Sequence, residues 1–227
     1  MPAPISVIIP ALNAACELPL CLESLMPGLE AGLIREVVLA DAGSTDATKA
    51  IADDAGAAII SSAPGRGTQL IAGKKAARGD WFLFLHADTA LSRDWAERAG
   101  DHISHNASKA ATFTLAFRSD APEAKWLASR ANARTRRFGL PYGDQGLLIS
   151  RALYDEIGGY KDQPLMEDVA IARALGKRRI VLLSAEARTS AEKYERDGWR
   201  QRAYRNAWLL ARYLLGASPE KLAKVYS

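Results

Sequence analysis

Four times before residue 90 the chain alternates a short β-rich apolar run, a polar turn and, between runs, a stretch of helical periodicity. The runs are Ile5-Ser6-Val7-Ile8-Ile9, Glu36 to Ala40, Ala57 to Ser61 and residues 81–86. Strands separated by helices cannot be joined as tight hairpins, so this alternation predicts parallel strands linked by right-handed crossovers. The fourth run is the most telling. Trp81-Phe82-Leu83-Phe84-Leu85 is apolar throughout, as a strand buried on both faces must be, and it stops abruptly at His86-Ala87-Asp88-Thr89. In open α/β sheets ligands bind beyond the carboxyl ends of the strands, which puts His86 and Asp88 where a cofactor or metal would sit.

The intervening segments fit this scheme. Asn13 can cap a helix carrying Leu18, Leu22 and Leu25, with Pro19 tolerated in its first turn. Strand two ends at Asp41-Ala42-Gly43-Ser44-Thr45-Asp46, where Gly43 supplies a turn and Ser44 or Thr45 a cap. The loop Ala63-Pro64-Gly65-Arg66-Gly67 leads into a helix from Thr68 to Ala77. Beyond residue 90 the pattern predicts helices over 94–104, 120–137, 151–157 and 167–175, and strands over 111–117, 146–149 and 179–183. One more helix is expected from Tyr194 to Leu215. It mixes aromatic and basic residues, so it either lies on an anionic membrane surface or packs its Trp and Leu side chains onto the sheet.

Composition narrows the function classes. With 227 residues, 48% hydrophobic, the chain can bury a substantial core. Its net charge of +4 is uneven: residues 1–110 carry 9 basic and 13 acidic groups, residues 111–227 carry 21 and 13. The basic half invites an anionic partner. Cys16 and Cys21 suggest neither a disulfide framework nor a zinc site, which points to a reducing cytoplasm. No secretory leader is recognisable, and no apolar run approaches the roughly 20 residues that span a bilayer.

Four motifs in order, Val7-Ile8-Ile9-Pro10-Ala11-Leu12-Asn13, Asp41-Ala42-Gly43-Ser44-Thr45-Asp46, Phe84-Leu85-His86-Ala87-Asp88 and Met166-Glu167-Asp168, resemble those of family 2 glycosyltransferases with the GT-A fold. The likeness spans roughly residues 5–185. Within the family the Leu-His-Ala-Asp element is similar to a small bacterial branch, some members of which are associated with arsenosugar biosynthesis. The resemblance implies an α/β, Rossmann-like, mostly parallel mixed sheet flanked by helices. Residues 1–190 would form the transferase domain and 191–227 a C-terminal helical extension packed on the domain, a partner or the membrane surface.

The implied activity is inverting transfer of a sugar from a nucleoside diphosphate, UDP first among donors, to an acceptor hydroxyl. Negative charge accumulates on the departing diphosphate, so a divalent cation, Mg²⁺ or Mn²⁺, is implied, with Asp88 as its ligand and His86 as a second ligand or a donor contact. By the same carry-over Pro10, Ala11 and Asn13 shape the nucleotide pocket, Asp41 bonds the base or ribose, and Arg66 and Glu17 are further donor contacts. Asp168 is the expected base that takes the acceptor proton, with Glu167 as its helper. A mobile loop, Tyr160 to Met166, precedes this pair. Asp144, Gln145 and Trp199 are the candidate acceptor contacts. The expected partners are thus a nucleotide sugar, a hydroxyl acceptor and an anionic membrane surface, with no nucleic acid; a homodimer stays open.

Three other classes are weighed. A nucleotidyltransferase would need a glycine-rich basic loop after the first strand, and Pro10 to Ala15 contains neither glycine nor base. A non-catalytic module on the same fold would bind anions through the basic half. A dinucleotide oxidoreductase is disfavoured by the lack of G-x-G-x-x-G after the first strand.

Overall fold

A computed structural model describes residues 3–226. The first half contains β1 (Ile5–Ala11), α1 (Leu18–Glu23), α2 (Met26–Glu30), β2 (Ile34–Asp41), α3 (Thr48–Asp54), β3 (Ala58–Ser61), α4 (Arg66–Ala76) and β4 (Trp81–Phe84). The second contains β5 (Thr89–Leu91), α5 (Trp95–His105), β6 (Ala110–Phe117), α6 (Pro122–Phe138), β7 (Leu147–Ser150), α7 (Arg151–Glu156), α8 (Glu167–Leu175) and β8 (Ile180–Thr189). Three helices follow: α9 (Glu192–Asp197), α10 (Trp199–Leu214) and α11 (Pro219–Tyr226).

One eight-stranded sheet in the order β3-β2-β1-β4-β7-β6-β8-β5 organises the molecule. β3, β2, β1 and β4 run parallel, as the alternation of the first half demands. β7 then pairs antiparallel with β4, and β6 antiparallel with β7. Full burial explains the unbroken apolar runs: Ile5, Val7, Ile8 and Ile9 of β1 and Phe82 and Leu83 of β4 are all 0% exposed. Each such side chain contributes on the order of 1.5–3 kcal/mol by leaving water. β1 alternates its side chains between the two faces, Ile8 into one core with Phe82 and Phe84, Val7 and Ile9 into the other with Leu83 and Trp95.

Three expectations shift. β5 was not read from the sequence; it has three residues and exists because it pairs with Ala187 to Thr189. β8 runs to Thr189, six residues past the expected end, with Ala185, Ala187 and Thr189 turned inward. The expected helix over 194–215 is broken at Gly198, whose φ of 85° lies in the left-handed region that glycine tolerates, so α9 and α10 meet at an angle. Trp199 packs edge-on against Phe117 of β6, ring centroids 5.2 Å apart, and Leu209 is buried with Met166, Val169 and Leu222. Tyr204, Trp208 and Leu215 stay exposed. Among the described residues no helix is long and apolar enough to cross a membrane.

Candidate active site

The parallel half of the sheet ends at one edge, and there the chain changes from strand to polar loop. β1 and β2 are tied at their ends by the buried Gln69 of α4, whose amide donates to the carbonyls of Ala11 and Ala40, both at 2.8 Å. After β4 the Leu85 N–H donates to Ile8 (3.0 Å), which keeps the strand in register up to the last apolar residue and delivers His86 and Asp88 just past the sheet. The Asp88 carbonyl accepts from Ser190 N–H (3.0 Å) and Arg118 Nη2 (3.2 Å). Its carboxylate Oδ1 accepts from the hydroxyls of Thr89 (3.3 Å) and Thr189 (3.5 Å). Asp88 is therefore gripped by β5 on one side and the end of β8 on the other.

Asp168 arrives from the opposite wall, in the first turn of α8. Its Oδ2 accepts the Gly143 N–H at 2.8 Å and its Oδ1 the Val169 N–H at 2.7 Å. Gly143 is the spacer between the two sets of groups. A Cβ at that position would lie 2.6 Å from His86 Nε2 and 3.7 Å from Asp168 Oδ2, so only glycine fits while the turn donates to Asp168. The resulting crevice, about 130 Å³, is bordered by His86 and Asp88 on one side and Glu167 and Asp168 on the other.

Charge in this crevice is finely divided. Burial pushes the His86 imidazole well below its ordinary value, reinforced by Arg66 and Lys193, so the ring is neutral. Burial works to raise Asp88, but the charges around it, Lys193 and Arg66 among them, and the Thr89 hydroxyl outweigh it, so its pKa is lowered and the carboxylate is ionised. Glu167 is pushed up to about 7 by burial and by Asp168 beside it, against the pull of Arg66, whose Nη1 sits 3.4 Å from its Oε1. Asp144 is pushed up to about 6, first by burial and then by Asp168 and Asp88, with Arg134 and Arg66 opposing.

The expected site residues divide into three groups. His86, Asp88, Glu167, Asp168, Arg66 and Asp144 border the crevice together. Asp41, Pro10, Ala11, Asn13 and Glu17 belong to the β1 and β2 end of the same edge without bordering it. Asp41, expected to bond the base or ribose, is 3% exposed and its carboxylate accepts the N–H groups of Gly43 and Ser44, bracing its own turn. Asn13, with φ 51°, accepts from the Thr45 N–H and so locks the β1 loop to the β2 loop. Glu17 is paired with Arg118, the residue that holds the Asp88 backbone.

Gln145 and Trp199 form the third group. Gln145, expected to face an acceptor, is fully buried instead; its amide donates to the Phe113 carbonyl (3.0 Å) and accepts from Thr135 (2.8 Å), bracing β6 against α6. Trp199 borders a separate hollow described below. The loop from Tyr160 to Met166 is anchored at its start, where Tyr160 packs on Phe84 and its N–H donates to Tyr154 Oη.

Sequence reasoning missed Tyr142, Thr189, Lys193, Arg202 and Asn206, all of which border the crevice. The last three come from α9 and α10, so the C-terminal helices form part of its wall. Two larger hollows open beside it. One, about 660 Å³, is bordered by Arg66, Lys193, Arg196, Arg202 and Arg205 with a single acid, Asp197. The other, about 670 Å³, lies between α6 and α10 and is mainly apolar and aromatic.

Residues 6–179 match the profile described as Glycosyl transferase family 2. The chain belongs to that family. Among curated relatives of this family 2 chain, glucosyl-3-phosphoglycerate synthase of Mycobacterium tuberculosis (strain ATCC 25618 / H37Rv) is 34% identical over 93 residues. That of Mycolicibacterium paratuberculosis is 36% identical over 93 residues. Each alignment covers 37% of this chain and 28% of the relative, so the chain spans well under half the length of the curated relatives it matches. Among solved structures, S. aureus TarS 1-349 in complex with UDP-GlcNAc aligns with a TM-score of 0.61 at 20% identity, over 82% of this chain and 58% of that one. Glucosyl-3-phosphoglycerate synthase from M. tuberculosis in complex with Mn²⁺, UDP and glucosyl-3-phosphoglycerate aligns with a TM-score of 0.59 at 20% identity, over 89% and 77%. These likenesses establish the GT-A fold that the motifs implied.

Proposed function

We propose that this family 2 chain is an inverting glycosyltransferase that moves a sugar from a nucleoside diphosphate, UDP first among candidates, to an acceptor hydroxyl with the help of Mg²⁺ or Mn²⁺. One observation carries the reading: Asp88 and Asp168, 80 positions apart in the sequence, border a single crevice beyond the carboxyl end of β4. The relatives solved with UDP, with UDP-GlcNAc and with Mn²⁺ support it.

The donor set fits a hard divalent cation. Asp88 offers an ionised carboxylate and His86 a neutral imidazole, and among the described residues no group of three or more His, Cys, Asp or Glu forms a closed cage. Two protein ligands leave positions for phosphate oxygens, which is how Mg²⁺ and Mn²⁺ are held at nucleotide sites. When bound there, the cation offsets the charge that grows on the departing diphosphate.

The crevice alone is too small for a nucleotide sugar, since ligand pockets run to roughly 300–1,000 Å³. The basic hollow beside it shares Arg66, Lys193 and Arg202, and we read the two as one donor site, with the diphosphate on these cations. Pro10, Ala11, Asn13 and Asp41 would shape the base end through the loops they brace, and Glu17 would act through Arg118. Asp168, oriented by two backbone N–H groups, takes the proton as the acceptor oxygen attacks C1 from the face opposite the leaving group. Glu167 and Arg66 hold its neighbourhood in place. Residues 1–190 are read as the transferase domain and 191–227 as a helical extension packed on it. The finer placement, in the small bacterial branch linked to arsenosugar biosynthesis, rests on Leu85-His86-Ala87-Asp88. The two free cysteines fit a reducing compartment.

A thermal-shift series with UDP-glucose and UDP-GlcNAc, with and without Mn²⁺, tests the donor. A true donor stabilises the fold in a cation-dependent way. Asp88→Ala is expected to abolish that dependence, and Asp168→Asn to keep it while losing transfer by at least about 100-fold. Near-native turnover in Asp168→Asn would remove Asp168 as the base.

A further inference from the structure

The aromatic hollow between α6 and α10 lies outside the donor site proposed above, yet it adjoins the crevice: Tyr142, Asp144, Tyr194 and Asn206 border both. At about 670 Å³ it is of ligand size. Leu115, Phe117, Trp126, Leu127, Trp199 and Leu210 make its walls apolar. Tyr194 and Trp199 stack with centroids 5.2 Å apart and both meet Phe117 edge-on, so one wall is a rigid aromatic panel.

Charged and polar side chains, Glu123, Arg130, Arg200 and Asn206 among them, complete the lining, and two further polar atoms stand out. Asp144 Oδ1 and Arg134 Nη2 are sealed from solvent and make no hydrogen bond, although both residues border the hollow. Arg134 is already fixed, its Nε donating to the Leu140 carbonyl (2.8 Å) and its guanidinium lying 3.5 Å from the Tyr142 ring centroid. A sealed acceptor and a sealed donor each cost free energy until partnered. Because both residues border the hollow, a side-chain shift that uncovers the two atoms lets a hydroxyl donate to the carboxylate oxygen and accept from the guanidinium N–H.

We propose that this hollow is the acceptor subsite and takes an amphiphile, a hydroxyl borne on an extended apolar body, with Asp144 and Arg134 orienting the hydroxyl toward the crevice and the apolar body lying along the aromatic panel. This rests on the transferase reading and gives its acceptor a chemical class. It sets the chain apart from the glucosyl-3-phosphoglycerate synthases, whose solved complexes hold phosphoglyceric acid, a small anion with no apolar body. Asp144 acts here as a positioning residue; the proton goes to Asp168.

The test is calorimetric titration of octyl glucoside, below its micelle-forming concentration, into the donor-free protein, with glucose and 3-phosphoglycerate in parallel. Saturable binding of octyl glucoside at least ten-fold tighter than either is expected. Shortening the tail to hexyl should weaken it about three- to four-fold per methylene. Ala207→Glu puts a carboxylate on an exposed helical position of the hollow's wall and should weaken octyl glucoside at least ten-fold. Ala211→Glu, exposed on the same helix but outside the hollow, should leave binding within two-fold. Equal losses in both variants, no saturable binding, or tighter binding of 3-phosphoglycerate would overturn the proposal. No donor is present, so this outcome is separate from the cation-dependent UDP-sugar shift. A protein that passes one test and fails the other shows which reading has fallen.

Discussion

Replacing Asp144 by asparagine should stabilise the protein at neutral and alkaline pH. Asp144 occupies a short turn, Gly143–Gln145, with its Oδ1 sealed and without a partner. Burial is the main reason that its pKa rises from 3.8 to about 6. The native state therefore holds the proton more tightly than the unfolded chain does. Between the two values folding takes up protons, so stability is highest below pH 3.8 and falls as pH rises through 6, staying low above it. A pKa rise of that size corresponds to a ceiling of about 3 kcal/mol. Asp144 as a residue is only half-buried, which brings the expected cost to about 1–2 kcal/mol.

Asparagine keeps the shape and cannot ionise, so the variant lacks this slope. Urea unfolding at about pH 4.5 and about pH 8 reads the difference: the advantage of Asp144→Asn should grow by roughly 1 kcal/mol between them. A variant less stable than the parent at the higher pH, or an advantage that does not change with pH, would refute the reasoning. Either result would mean that the Arg134 guanidinium compensates the carboxylate fully. A net cost measured in this way would fit the pattern in which functional groups are kept at the expense of stability.

The spacer glycine makes a sharper steric test. Gly143→Ala drives a methyl to 2.6 Å from His86 Nε2, so it should destabilise by about 1–3 kcal/mol and lower transfer more than it lowers UDP binding. Arg66→Gln removes the cation that pulls on Glu167, whose pKa is already about 7; the proton should then be held to higher pH, seen as an upward-moved titration of that carboxyl by NMR.

The parallel half of the fold was legible because its strands are buried on both faces, and burial writes itself into sequence as uninterrupted Ile, Val, Leu and Phe. The polar ends of those runs then pointed to His86 and Asp88 with no further information. Legibility failed where structure is set by distant pairing. Thr89 to Leu91 is a strand only because Ala187 to Thr189 lies beside it, and the inward residues at 185 and 187 are alanines, too small to make a hydrophobic run. Gln145 shows the opposite failure. A polar residue next to a candidate acid reads as a ligand contact, but a side chain with two donors and an acceptor can equally brace a core, and the partners that decide the matter, Phe113 and Thr135, are not its neighbours in sequence. Lys193, Arg202 and Asn206 were hidden for a related reason: in a mixed aromatic and basic segment, no local signal tells which polar side chains border the crevice.

That last point bears on how specificity is built. The match to family 2 ends at residue 179, yet Thr189, Lys193, Arg202 and Asn206 border the candidate crevice, and Trp199 and Leu210 wall the aromatic hollow. The carboxylates proposed for chemistry thus stand on the sheet and α8, inside the shared core, while much of the surface that would meet the acceptor comes from α9 and α10, outside it. The two parts are joined by a small apolar contact, Leu209 and Leu222 against Met166 and Val169, with Met166 and Val169 flanking the Glu167-Asp168 pair. A change in α10 that alters the acceptor wall therefore also presses on the residues beside the proposed base. On the proposed roles of the hollow and of Asp168, substitutions at the Leu209 contact should therefore shift acceptor preference and turnover together, read as the ratio of transfer rates to two acceptors.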